Sequence, residues 1–534
     1  MSSILRYLPA WSARLLPRSV SASLWPSPES VAFTLPDEIW TLIAMELEFK
    51  DVFNVRLVCR YLNGICGGSV LWRHMFLSQL GNQIPKPFFL PKPLNASSAV
   101  DIETAIRSWT LGWTPTNLLQ HYTRQVNRAG LGGQDLSYNS VIMTPGGRWV
   151  VAASTEGSIW WFDLSDGWTS TSYVEPRILI PSDTDDNVEG PVQIKIAADF
   201  FSEESLGAFN SKGHPHQLSR FNIVIMARSA NRSSSPTTHV GIWRVFASQE
   251  SGLSLGECLS SYEETGSVKL TDVSLYGSAV AYGMDSGGAR GIICVIIVEW
   301  EEANGKTMDD EIVRRYIPFI PTLKVMLLPG DNIFLVHVFS SAGLYNWRED
   351  CEPSTLHPSE QEHAKAVTPI WAYGDDNSDS EGSESSEDSV APVRYWAMVD
   401  PLVLSNTIHL VLPTPDEIYG LTIPLGDPGG DAIESQSLLK GRYGGSHHGC
   451  MFFGHRHAVG TRDWGVTVFA AHYQWSSPES DDADDSSITT RFKEVSLPEE
   501  LRDGLYRILY DQFSQRIVIT DGKAFQFVTL QNTP

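Results

Sequence analysis

Residues 147–164 read GRWVVAASTEGSIWWFDL. Two short apolar runs, WVVAAS and IWWFDL, flank a small polar turn centred on Gly157. Branched and aromatic residues on both sides of such a turn predict a β-hairpin. The same strand, turn, strand pattern returns at 222–245, 277–300, 331–347, 404–424, 450–473 and 515–530. Helical periodicity is nearly absent from residue 120 onward. Seven hairpins over so long a stretch exceed one sandwich. A β-propeller fits better, at roughly 40–50 residues per blade with long loops as the excess. Seven blades are expected, with eight as the alternative. A closing strand pair between 515–530 and 138–143 should seal the ring and remove open sheet edges.

The first hairpin resembles a WD-repeat blade, with Phe162 and Asp163 standing where Trp-Asp would. No full Gly-His to Trp-Asp signature occurs, so the resemblance implies divergent repeats.

The chain has 534 residues, 39 basic against 63 acidic, for a formal net charge of -24. Such a balance repels phosphates and argues against nucleic acid as a partner. Six scattered cysteines with no CxxC pair point to reduced thiols in a cytoplasmic or nuclear protein. No apolar run reaches the ~18 residues a membrane span needs. The longest candidate, GIICVIIVEW at 291–300, reads as a buried strand. Residues 1–30 are basic and rich in proline and read as a disordered tail, with a targeting segment as the alternative.

A different pattern fills 31–81. Pro36 suits a first helical turn, and Asp37 and Glu38 suit the positive end of the helix dipole. This helix should run to Leu47. Asp51 can cap a second helix from Val52 to Asn63, with Gly64 ending it, and Ser69 a third. All are too apolar for one small core. In the first, Ile39, Trp40, Leu42, Ile43, Ala44, Met45 and Leu47 crowd nearly every side, where a surface helix keeps one stripe. Either the rest of this chain or a partner must cover the surplus.

The segment resembles an F-box: LPDEIWTLIAMEL at 35–47, DVFNVRLVCRYLNGI at 51–65 and SVLWRHMF at 69–76 follow that family in order and spacing. The Cys-Gly-Gly-Ser entry to the last helix departs from it. The resemblance implies a three-helix module that docks on the Skp adaptor, and through it on cullin, in an SCF-type ubiquitin ligase. It implies contacts through Leu35, Pro36, Ile39, Ile43, Leu47, Val52, Val55, Val58, Cys59, Leu62, Leu71 and Trp72. The whole chain is similar to fungal-type F-box proteins that carry divergent propellers.

The expected fold class is therefore α+β multidomain: a three-helix F-box, a linker at 82–119 with one helix over 101–113, and a β-propeller over 120–534. Two acidic, serine-rich stretches, 374–389 and 476–487, cannot bury enough surface to fold and are expected to be disordered loops, with phosphorylation as a sharper reading.

No catalytic, cofactor or metal site is expected. The stretch from Asp375 lacks the glycine and the final glutamate of an EF-hand loop. His447, His448, Cys450, His455 and His457 are all metal-ligand types, yet strand alternation would place His455 and His457 on one face as structural residues. No GxSxG, HExxH or Walker loop occurs. The expected function is a non-catalytic substrate receptor, whose propeller binds a target protein while the helices bind the adaptor. The alternative is a non-degradative propeller scaffold.

Overall fold

The computed structural model describes residues 35–80, 83–84 and 94–111, and the strands and tight turns between 119 and 530 that make up the sheets below. Residues 1–30 and the acidic stretches 374–389 and 476–487 lie outside the described residues. The chain divides into a helical unit, 1–82 with 90–110, and a sheet-rich unit, 83–89 with 111–534.

The helical unit holds α1 (Asp37–Met45), α2 (Phe49–Arg56), α3 (Arg60–Cys66), α4 (Ser69–Leu80) and α5 (Ala99–Leu111). The expected second helix is thus two. Cys59 is extended, with φ -159° and ψ 164°, and breaks the segment between Arg56 and Arg60. A single helix here would be apolar on every side, and Val58 and Cys59 are weak helix formers. The break re-aims the chain so that Phe49 and Val52 from α2, and Leu62 and Cys66 from α3, all enter one core. Glu48, not Asp51, precedes α2, and α3 runs through Gly64 to end at Gly67, whose N–H reaches the Asn63 carbonyl.

The core of this unit is aromatic. Phe49 meets Phe53 edge-on at 4.7 Å and Trp72 at 6.1 Å. Helix α5 belongs to the helical unit, not to a free linker. Its Ile102 and Ile106 are buried, and Glu103 accepts from Arg56 at 2.7 Å. Arg107 lies over the Phe53 ring at 5.0 Å. Four short helices bury too little to stand alone; α5 adds a further wall.

The sheet-rich unit contains, among the described residues, seven sheets of four or five strands. Each of the seven hairpins read from the sequence lies in a different sheet. The strands are more apolar than a half-exposed sheet requires. Trp149–Ser154 and Asn332–His337 are buried at every position. A strand covered on both faces by neighbouring sheets has no solvent side, so alternation fades into a continuous apolar run.

In five sheets one edge strand also borders a shared cavity: Leu136–Met143, Gln193–Asp199, Lys269–Tyr276, Thr322–Leu328 and Arg507–Asp511, in sheets 1, 2, 3, 4 and 7. Pro401, which precedes the strand Leu402–Leu404 of sheet 5, and Phe452, in the strand His448–Phe453 of sheet 6, also line it. Side chains bond neighbouring inner strands together. Ser140 Oγ donates to the Ile194 carbonyl, and Gln193 Nε2 to the Leu270 carbonyl at 3.0 Å. Val325 N donates to Asp272 Oδ2 and Leu327 N to Ser274 Oγ, each at 2.9 Å.

The terminal pairing differs from the expectation. The last strand, Ala524–Leu530, pairs antiparallel with Leu119–Val126, from Leu530 opposite Leu119 to Ala524 opposite Gln125. Residues 138–143 are instead in the inner strand of sheet 1, where Val141 opposes Ala152. The reason is topological. Chain that precedes the first inner strand is free to pair with the last strand, and the short strand Tyr173–Val174 then forms the outer edge of that sheet.

Candidate functional site: an apolar face on the helical unit

Side chains at i, i+3 and i+4 share a helix face, and on α1 those are Ile39, Leu42 and Ile43. All three are exposed, at 40%, 57% and 42%. The break between α2 and α3 leaves Leu57 73% and Val58 41% exposed. Tyr61, also exposed, follows in the first turn of α3. Its hydroxyl donates to Asp37 Oδ1 at 2.7 Å, which ties the start of α3 to the start of α1. Asp37, by accepting that proton in a hydrogen bond, raises the Tyr61 pKa and keeps the phenol protonated. A polar latch therefore holds two apolar surfaces beside one another.

The residues expected from the F-box resemblance fall into three groups. Pro36, Ile39, Ile43 and Val58 are exposed. Leu35, Leu47, Val55 and Cys59 are half-buried. Val52, Leu62, Leu71 and Trp72 are buried and pack the helices on one another. Leu42, Leu57 and Tyr61 are exposed apolar residues that the expected set omits. Leu42 could have been found from its spacing to Ile39. Leu57 could not, because its exposure follows from the helix break.

The sheet-rich unit carries the histidines. A turn at 454–456 sends His455 and His457 to different neighbours, not to one face. His455 stacks on Trp475 at 4.9 Å and meets His409 edge-on at 5.0 Å, while the His457 ring lies 6.0 Å from Tyr510. Trp475 Nε1 donates to the His455 carbonyl at 2.6 Å. Burial drives the His409 pKa down to about 4 and that of His455 well below its ordinary value. Both are packing histidines joining sheets 5 and 6. The side chains of His448 and Cys450, and all of His447, lie outside the described residues. Among the described residues no three His, Cys, Asp or Glu side chains come together as a metal site. Nor is any helix among them long and apolar enough to cross a membrane.

The chain carries an F-box-like segment within its helical unit, joined to a sheet-rich unit. The family model described as F-box-like matches residues 32–78, the segment that forms α1 to α4. No curated protein matches the chain. Among solved structures, a chain of the Mitotic Checkpoint Complex is similar at 11% identity, covering 79% of this chain and 96% of that one, with a TM-score of 0.38. The β-propeller domain of Myceliophteria thermophila Cps50 (Swd1) is similar at 8% identity, over 74% of this chain and 96% of that one, TM-score 0.34. The WD40 domain of SCAP from fission yeast shares 10% identity over 74% of this chain and 85% of that one, TM-score 0.33.

Proposed function

We propose that the chain is the substrate-recognition subunit of an SCF-type ubiquitin ligase. The F-box-like helices dock on a Skp adaptor, which links to cullin, and the sheet-rich unit, read as a seven-bladed propeller, holds the target protein. The observation that carries this reading is the exposed apolar face of Ile39, Leu42, Ile43, Leu57, Val58 and Tyr61 on the F-box-like domain. Each of these side chains is exposed, while the core of the domain is built from other residues, Phe49, Val52 and Trp72 among them. Covering them would contribute about 1–2 kcal/mol each gross, part of which offsets the cost of association. In such an assembly the transfer chemistry belongs to other subunits, and this chain acts by raising the local concentration of target.

The test is co-purification with the Skp adaptor. Leu42→Asp with Leu57→Asp places two charges on the face and leaves the core untouched. Adaptor binding should be lost while the melting temperature stays put. The same holds for Leu35→Ala with Pro36→Ala. If both double variants still recruit the adaptor at wild-type levels, the chain serves as a propeller scaffold and the helices do not act as a ligase dock.

A further inference from the structure

Two of the exposed side chains of the apolar face, Leu57 and Val58, sit on the break between α2 and α3 and not on a helix. Leu57 N and Val58 N bond back into α2, to the Phe53, Asn54 and Val55 carbonyls, and the Cys59 carbonyl accepts from Asn63 N of α3. Those bonds shape each half of the break. Fixing the angle between the halves takes a side chain that reaches across.

Arg56, the last residue of α2, does so. Its Nε donates to Asn63 Oδ1 of α3 at 3.0 Å. Its Nη1 donates to Glu103 Oε1 at 2.7 Å. Glu103 belongs to α5, beyond the segment 32–78 that the F-box-like model matches. A guanidinium carries its donors in a rigid planar fork, so holding one arm sets the direction of the other. The Arg56 and Glu103 side chains are 24% and 13% exposed, which spares the pair part of the screening that a fully solvated pair meets. Arg107 Nη1 lies 3.6 Å from the same Glu103 oxygen.

Helix α5 is itself anchored. Ser98 and Asp101 cap its start reciprocally, Ser98 N donating to Asp101 Oδ2 at 3.1 Å and Asp101 N to Ser98 Oγ at 3.2 Å. Ile102 and Ile106, one turn apart, are both 0% exposed. Glu103 follows Ile102 directly, so the helix carries its carboxylate at the edge of the buried stripe.

We propose that α5 is a working part of the adaptor dock and that Glu103 is its positioning residue: through Arg56 it fixes the break that presents Leu57 and Val58, without touching the adaptor. The inference rests on the adaptor reading and adds to it a residue outside the matched segment. A presenting segment already held in its bound shape loses less freedom on association, so the same apolar contacts give tighter binding.

Calorimetric titration of the full-length protein with purified Skp adaptor tests it. Wild type should bind saturably, and Glu103→Ala should bind about threefold to tenfold more weakly. In an Arg56→Ala background the Glu103→Ala change should have no further effect, since its route to the dock is that guanidinium. General support of the fold, or a direct contact with the adaptor, would weaken binding in either background. Arg56→Lys keeps the charge and the helix but cannot span Asn63 and Glu103 with one fork. It should weaken binding as much as Glu103→Ala, and it decides the matter where circular dichroism shows that Glu103→Ala has lost its helices. Wild-type affinity in Glu103→Ala or in Arg56→Lys would overturn the inference and leave the adaptor reading intact, as would an undiminished further loss from Glu103→Ala in the Arg56→Ala background. No binding by wild type would remove the adaptor reading, and this inference with it.

Discussion

Asp511 Oδ1 accepts the backbone N–H of Gly146 at 2.8 Å, across 365 residues of chain. The bond joins the inner strand of the last sheet to the turn that follows the inner strand of the first. Arg516 Nη1 adds a second tie, to the Gly147 carbonyl at 3.0 Å. Together with the pairing of Ala524–Leu530 on Leu119–Val126, these contacts connect the two ends of the sheet-rich unit.

Asp511→Ala should therefore destabilise the unit by about 1.5–3 kcal/mol, the range for a lost hydrogen bond to a charged group. Asp511→Asn, which keeps an acceptor for Gly146, should lose less. Urea unfolding followed by tryptophan fluorescence reads both, and equal losses would show that the Gly146 bond is not what Asp511 supplies.

A second tie crosses from sheet 2 to sheet 3. Arg314 Nη2 and Glu264 Oε2 lie 2.8 Å apart with side chains 7% and 2% exposed, and Tyr282 donates to Glu264 at 2.5 Å. Removing one partner of such a pair strands a buried charge, so Glu264→Gln and Arg314→Met should each cost about 3–5 kcal/mol. The double variant should recover much of that, as a double-mutant cycle would reveal. Additive losses would mean that the pair is not coupled.

Acid should loosen the seam between sheets 5 and 6. The folded state holds His409 neutral, with its pKa lowered from 6.5 to about 4. A depressed value means stability is complete above pH 6.5 and drains away as pH falls toward 4, by at most about 3.5 kcal/mol for this residue, since each pKa unit is worth about 1.4. His455, more deeply buried, acts in the same direction. Urea midpoints at pH 7 and pH 4.5 should differ less for His409→Asn than for wild type. An identical pH dependence would remove His409 as a source.

Inside the helical unit the same chemical class of residue should behave in two ways. Trp72→Ala empties the aromatic core and should cost about 3–5 kcal/mol. Leu57→Asp, at a position 73% exposed, should change stability by no more than about 0.5 kcal/mol. Thermal melts separate them, and a large loss from Leu57→Asp would place that residue under cover.

Gly252 sits at φ 78°, and a Cβ there would lie 2.1 Å from the Trp161 ring. Gly252→Ala should cost about 1–3 kcal/mol through backbone strain and displacement of that ring. A melt unchanged from wild type would show that Trp161 moves aside freely.

The sequence alone determined the repeating unit and the class of the first module. The hairpins at 147–164 and its six counterparts were legible because strand period and turn chemistry are written within some twenty residues. The helical module was legible because its residue order is specific. Tertiary structure decided what depends on distant partners. Whether Val52 or Leu57 faces out follows from the break at Cys59 and from the wall that α5 supplies. The partner of Ala524–Leu530, the meeting of His409 with His455, and the bond from Gly146 to Asp511 bring together residues far apart in the chain. Local pattern carries no record of such pairings, because each is fixed by how seven sheets share their faces and not by the residues beside it.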